Sequence, residues 1–273
     1  MSGLRNKTYF ITGASRGIGK AIALKLAADG ANIVVAAKSV AENPKLGGTI
    51  FSAAEEIERA GGRALAVQCD IRDETQVKAA VDKAVARFGG ITGLVNNASA
   101  ISLTNTADTE MKRFDLMHDI NVRGTFLVTK HCIPHLLNSD NAQILTLSPP
   151  IDLNPKWFGH HLAYTLSKYN MTMMAMGWAE ELKAHKLSSN SLWPVTTIAT
   201  AAVNNLLGGD SIVQRSRKPA IMADAVHYLV QQPAGVVTGR QLLDEEVLAM
   251  AGITDLAHYA VNPEQKLHED LFL

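Results

Sequence analysis

A chain of 273 residues, 47% of them apolar and 19% charged, is expected to fold as one α/β domain around a packed core. Its 26 basic and 26 acidic residues cancel, so there is no electrostatic ground for nucleic acid or an anionic membrane as partner. The two cysteines, Cys69 and Cys132, sit in no ligand spacing and read as buried free thiols, and no uncharged apolar run is long enough to span a bilayer. MSGLRNKTYFITG runs straight into a strand with no room for a signal peptide, so a cytoplasmic protein is expected.

Short apolar runs alternate with helical patterns along the chain. Thr8–Ile11 reads as a strand and Ile18–Asp29 as a helix. Strand Asn32–Ala37 is followed by a polar excursion, Ser39–Thr49, and then by helix Phe51–Ala60. Next come strand Ala64–Gln68, helix Glu74–Phe88 and strand Gly93–Asn96. A helical pattern over Thr109–His135 is expected to be broken. Strand Ile144–Leu147, helix Leu162–Ala184 and strand Ser188–Leu192 follow. Thr196–Lys218, with Gly208–Gly209 inside it, reads as a mobile lid, and residues after Asp244 as a tail with a short helix. Most of the strands are continuously apolar, as parallel strands covered on both faces are. The pattern predicts a Rossmann-like, doubly wound parallel sheet in a single domain, with a core over 8–244 and a tail over 245–273.

TGASRGIG, from Thr12 to Gly19, joins the first strand to the first helix. Gly13 permits the tight turn, Gly17 lets backbone approach a pyrophosphate, and Gly19 allows close packing at a helix start that attracts phosphate. A dinucleotide site is predicted there. NAD sites usually carry an acid at the end of the second strand, but this chain reads Ala37-Lys38, with Arg16 nearby. Two cations and no carboxylate suit a 2′-phosphate, hence NADP(H), unless both are ordinary surface cations. Asp70, ending the third strand, either accepts from an adenine amino group or caps the helix that starts near Asp73. Asn96-Asn97-Ala98-Ser99 ends the fourth strand, where amides can pin sheet to loop.

Tyr164 and Lys168 stand at i and i+4, on one helical face. An ammonium beside a phenol favours the phenolate and makes Tyr a usable acid or base near neutrality. The order TGASRGIG, NNA, INVRG, YTLSK and then a Pro after the sixth strand resembles the short-chain dehydrogenase/reductase family over nearly all of Thr8–Asp244. That resemblance implies hydride transfer between a nicotinamide and a carbonyl or alcohol carbon, in a dimer or tetramer. It implies that Tyr164 donates or accepts the proton, that Lys168 lowers its pKa and bonds the nicotinamide ribose, and that Asn121 holds a water linking Lys168 to solvent. The implied cofactor contacts are Gly13, Ser15, Arg16, Gly17, Ile18, Gly19, Lys38, Asp70, Ile71, Asn97, Ala98, Tyr164, Lys168, Pro194 and Ile198.

The chain departs from the family pattern at Ser99, at Pro194-Val195 and at Asp244-Glu245-Glu246. The most consequential departure ends the fifth strand. Members carry Ser-Ser there, the second polarising the substrate oxygen; here the residues are Ser148-Pro149. Adjacent strand residues face opposite ways, so Pro149 takes the catalytic direction and Ser148 points away. A twist in the following loop could return Ser148 to the site; otherwise Asn154 or a water polarises the oxygen.

Other features have plain explanations. His131 and His135 read as structural, with Pro134 between them and no third ligand, so no metal is expected. His160 and His161 either face the substrate or are solvated. Met171, Met173, Met174 and Met176 suit core or subunit packing. Trp157, Phe158 and Trp193 suit an apolar substrate and ordinary packing equally. The expected activity is an NADP(H)-dependent oxidoreductase for an apolar carbonyl or secondary alcohol. The alternative is a catalytically weak NADP(H)-binding interaction module.

Overall fold

The computed structural model describes residues 3–273. Seven strands form one parallel sheet: β1 (Thr8–Thr12), β2 (Asn32–Ala37), β3 (Arg63–Gln68), β4 (Gly93–Asn96), β5 (Gln143–Leu147), β6 (Ser188–Trp193) and β7 (Gln241–Leu243). Their order is β3-β2-β1-β4-β5-β6-β7. The chain winds outward from β1 to β3 and returns to β4 on the other side of β1, which places the switch in winding between β1 and β4. Doubly wound sheets bind ligands beyond the carboxyl ends of such strands.

The helices are α1 (Gly17–Ala28), α2 (Ile50–Arg59), α3 (Glu74–Phe88), α4 (Met111–Met117), α5 (Thr125–Leu136), α6 (Lys156–Gly159), α7 (Leu162–Glu181), α8 (Ala201–Val203), α9 (Gly209–Gln214), α10 (Ala220–Gln231) and α11 (Asp244–Met250). Strand alternation sorts side chains between two cores. Ile33, Val35 and Ala37 of β2 meet α1, α2, α10 and α11 on one face. Val34 and Ala36 meet α3, α5 and α7 on the other. A third cluster, around Tyr164, Trp193 and Phe272, closes the carboxyl end of the sheet.

Local chemistry sets the helix ends. Thr49 and Ser52 form a reciprocal capping box at α2. Asp73 caps α3 by accepting from Thr75 N at 2.9 Å and Gln76 N at 3.1 Å, and Gly89, at φ 86°, ends it. Such a cap stabilises by about 1 kcal/mol. The cap is therefore Asp73, not Asp70.

The predicted Thr109–His135 helix is broken by a π turn over His118–Gly124 that separates α4 from α5, while Pro134 is accommodated in the last turn of α5. The segment read as a lid carries α8, a π turn over Asn204–Gly208 and α9. Helices α6 and α10 and strand β7 were not predicted, nor were α8 and α9 inside the segment read as a lid. The tail also does more than expected. Phe272, at φ 75°, is buried with 1% exposure against Trp157, His161, Tyr164, Tyr169 and Trp193.

Candidate active site

One cavity, of about 440 Å³, runs from the glycine loop to Tyr164 and Lys168. Gly13, Ser15, Arg16, Gly17 and Ile18 form one end. Gly13 has φ +68°, and a Cβ there would lie 2.9 Å from Asn97 Nδ2 and 3.1 Å from Ala98 Cα. Only glycine fits both the conformation and the approach. Asn97 fixes that geometry by donating to Thr12 O at 2.8 Å and Gly13 O at 3.2 Å. Gly19 is buried and lines no part of the cavity; a Cβ on it would meet Asn97 Nδ2 at 2.5 Å, so its part is close packing. The first turn of α1 has no side-chain cap, which leaves its N–H groups available to an anion.

Arg16, Lys38 and Ser39 also line this end. Arg16 Nη2 donates to Ser39 Oγ at 2.5 Å and to Gly48 O at 3.1 Å, and its Nε donates to Gly47 O at 2.9 Å. The excursion after β2 thus folds back on the glycine loop. Asp70 and Ile71 border the cavity. The Asp70 carboxylate is held by Arg72 at 2.6 Å and lies 3.8 Å from Lys38, and the Arg72 hydrogen bond keeps it below the usual carboxylate range.

Tyr164 and Lys168 project from one face of α7, both buried. Lys168 Nζ donates to Leu147 O at 2.6 Å and lies 5.0 Å from the centre of the Trp193 ring. Burial pulls its ammonium down to about 7. Burial, followed by the charge of Asp270, pushes the Tyr164 phenol up. This departs from the expected lowering: desolvation outweighs the ammonium, which is turned toward a main-chain carbonyl.

Asn121 sits in the π turn, fully buried. Its Oδ1 accepts from Ala100 N at 2.8 Å, and its Nδ2 donates to Ala100 O and Ser167 Oγ, both at 2.9 Å. Ser167 in turn donates to Tyr164 O at 2.8 Å. Asn121 therefore ties the loop after β4 to the helix that carries Tyr164. Ser148 is fully buried, its Oγ lies 2.9 Å from Thr172 Oγ1, and it lines no part of the cavity. Pro194 and Ile198 also lie off the cavity. Ile198 is packed into the core, and the wall passes from Trp193 to Thr200, Ala201 and Ala202 instead.

Trp193 lines the cavity, while Trp157 and Phe158 pack in the aromatic cluster around Phe272 and Tyr169. His161 is buried against Thr165 Oγ1 at 3.0 Å, and His160 is exposed. His131 lies 3.2 Å from Glu74. Sequence reasoning missed Asp270 and Leu271, which line the cavity beside Lys168. Nothing local in LHEDLFL marks them; only the tertiary path brings them there.

A glycine loop at the switch of a doubly wound sheet, joined by one cavity to a Tyr and a Lys one helical turn apart, defines a nucleotide-dependent oxidoreductase fold. The short chain dehydrogenase family model matches residues 7–208, and the chain belongs to that family, whose members bind a nicotinamide cofactor, act on small substrates and commonly oligomerise. It is 57% identical over 266 residues to hydroxysteroid dehydrogenase-like protein 2 of Xenopus laevis, a match that covers 97% of this chain and 63% of that protein. The chain thus spans under two thirds of the length of the curated relatives it matches. The crystal structure of a short chain dehydrogenase from Mycobacterium thermoresistibile superposes with a TM-score of 0.94 at 54% identity, covering 99% of this chain and 96% of that one. A blue fluorescent protein from a metagenomic library, solved in complex with NADPH, superposes with a TM-score of 0.75 at 26% identity, covering 88% and 96%. No helix among the described residues is long and apolar enough to cross a membrane.

Proposed function

We propose that the protein is an NADP(H)-dependent oxidoreductase for an apolar carbonyl or secondary alcohol. The observation that carries this reading is the continuous cavity from Arg16, Lys38 and Ser39 to Tyr164, Lys168 and Trp193. The glycine turn at Gly13, the left-handed backbone of Gly17 at φ +56° and the uncapped start of α1 fit a dinucleotide diphosphate. Arg16, Lys38 and Ser39, with no carboxylate at the end of β2, fit a 2′-phosphate. The NADPH complex of a structural relative supports the same cofactor. Bound there, the cofactor supplies or takes up the hydride.

The chain's own residues do the rest. Tyr164, protonated at neutral pH, gives its proton to the carbonyl oxygen in the reducing direction. Lys168, beside Tyr164 on the same face of α7, would bond the ribose hydroxyls of the bound cofactor and, when charged, would stabilise the phenolate left behind. Asn121 and Ser167 hold the first turn of α7 in register. The apolar wall of Ile101, Trp193 and Leu271 excludes water from the reacting carbon. The protein acts as a homodimer or homotetramer, because Phe126, Leu166, Met173 and Met176 expose 40–54% of their surface on α5 and α7.

Ser148 favours a second reading, a weakly catalytic NADP(H)-binding module, since its hydroxyl is taken by Thr172. A screen of ketones, aldehydes and alcohols, followed by NADPH absorbance, separates the two. Turnover that Tyr164→Phe abolishes while cofactor binding survives is expected. A protein that binds NADPH and turns over none of them is the module.

A further inference from the structure

Reduction of a carbonyl places negative charge on its oxygen, and losing one of the donors that stabilise it costs ~10²–10³ in rate. Tyr164 is one donor here. The family's second donor is missing, since Pro149 has neither hydroxyl nor N–H. Ser148 faces Thr172. Asn154, the other candidate from the sequence, is exposed, accepts from Lys156 N at 3.0 Å and does not line the cavity. The Asn97 amide is spent on Thr12 O and Gly13 O, and the Trp193 indole N–H on Leu271 O at 3.0 Å.

Thr200 Oγ1 accepts from Val203 N at 3.3 Å and Ser99 Oγ lies 3.5 Å from Ala100 O, whereas Asp270 lines the cavity with Tyr164 and Lys168 and its charge acts on both. The segment carrying it is fixed along its length. Thr197 N donates to His268 O at 3.0 Å, His268 N to Arg215 O at 2.8 Å and Asp270 N to Val195 O at 3.0 Å. Phe272 then locks the segment into the aromatic cluster. One carboxyl oxygen of Asp270 accepts from Leu271 N at 2.7 Å, and the other has no protein partner among the described residues.

Resting on the oxidoreductase reading above, we propose that Asp270, as the neutral acid, donates the second hydrogen bond to the substrate oxygen and so takes the place of the family's serine. The proton that is transferred comes from Tyr164 as hydride reaches the carbon. Asp270 keeps its own proton, so the step consumes nothing further. The charged and titratable groups that face it are Lys168 and Tyr164 from α7 and Asp244 from the start of α11. Burial, then repulsion from Asp244, raises the Asp270 carboxyl to about 7 against the opposing pull of Leu271 N–H and Lys168. The neutral acid is therefore the main form on the acidic side of neutrality.

Two measurements test this. Infrared difference spectra between the wild-type full chain and Asp270→Asn should show a protonated carboxyl band in mildly acidic buffer that gives way as pH rises through about 7. In parallel, NADPH-driven reduction of acetophenone, a simple apolar ketone, is followed for wild type, Asp270→Ala and Asp270→Asn. The Ala variant should lose about 10²-fold in kcat with KM for NADPH unchanged. The Asn variant keeps a donor, stays within about tenfold, and loses the alkaline fall that wild type shows. Should Asp270→Ala fail to fold, the pH profile of Asp270→Asn carries the test. Absence of the band, an Ala variant as fast as wild type, or an Asn variant that keeps the wild-type fall overturns the proposal; that last result would assign the fall to Lys168. If wild type reduces no probe while binding NADPH, the oxidoreductase reading fails and takes the proposal with it. Loss of activity in Tyr164→Phe alone, with Asp270→Ala unaffected, leaves that reading standing and removes only Asp270.

Discussion

Ser148→Ala is the most direct test of how β5 ends. Ser148 Oγ lies 2.9 Å from Thr172 Oγ1, and that same threonine donates to Pro149 O at 2.7 Å. Removing the serine hydroxyl leaves Thr172 with its carbonyl acceptor, so no donor is orphaned. The loss is about one neutral buried hydrogen bond, roughly 0.5–1.5 kcal/mol. For a domain of this size that moves Tm by roughly 2–4 °C per kcal/mol. Because Ser148 does not reach the cavity, kcat should fall less than tenfold. Urea titration and NADPH absorbance read the two effects separately. Thr172→Val, which strips Pro149 O of its donor, should destabilise more, by about 1–3 kcal/mol. A hundredfold or larger loss of kcat in Ser148→Ala, with stability nearly unchanged, would place the hydroxyl at the reacting oxygen and refute the register.

Further outcomes follow from the rest of the site. NADPH should bind at least tenfold tighter than NADH, a gap of about 1.4 kcal/mol, and Arg16→Ala with Lys38→Ala should erase it in calorimetric titration. Asn121→Ala leaves Ala100 N, Ala100 O and Ser167 short of partners in a buried place, and should lower stability by about 3 kcal/mol in urea. Asp244 is buried and its carboxyl raised to about 6, above its unfolded value of 3.8, so the folded state holds the proton more tightly. Wild-type stability should thus decline from this group as pH rises from about 4 to about 6, and Asp244→Asn should flatten that slope in thermal melts across the window. Phe126→Asp with Met173→Asp should shift light scattering from oligomer to monomer; a wild-type monomer at micromolar concentration would sink the assembly.

The sheet was legible because most of its strands are short, continuously apolar runs, as double coverage demands. β7 was not, since three residues carry no periodicity. α10 was there to be read. Ile221, Met222, Ala225, Val226, Leu229 and Val230 repeat at helical spacing and all are buried. The glycine loop and the Tyr–Lys pair were legible because local spacing sets both. Asp270 was not, because about a hundred residues separate it from Lys168 and its place depends on main-chain bonds to the loop after β6. Pro194 and Ile198 do not line the cavity for a related reason: a position can follow a motif in sequence while the wall is built a few residues further on.

The clasp between Arg16 and the excursion after β2 bears on recognition before any ligand arrives. An arginine side chain free in solvent loses up to about 2 kcal/mol of rotamer freedom when a phosphate immobilises it. Arg16 has already given up that freedom to Ser39 Oγ, Gly47 O and Gly48 O. An anion entering there meets a guanidinium set in place by the protein's own main chain. Discrimination between the two dinucleotides is then partly a property of the main chain of the excursion beyond Ser39, which holds Arg16 in place, and shortening that excursion should loosen the choice while Arg16, Lys38 and Ser39 all remain.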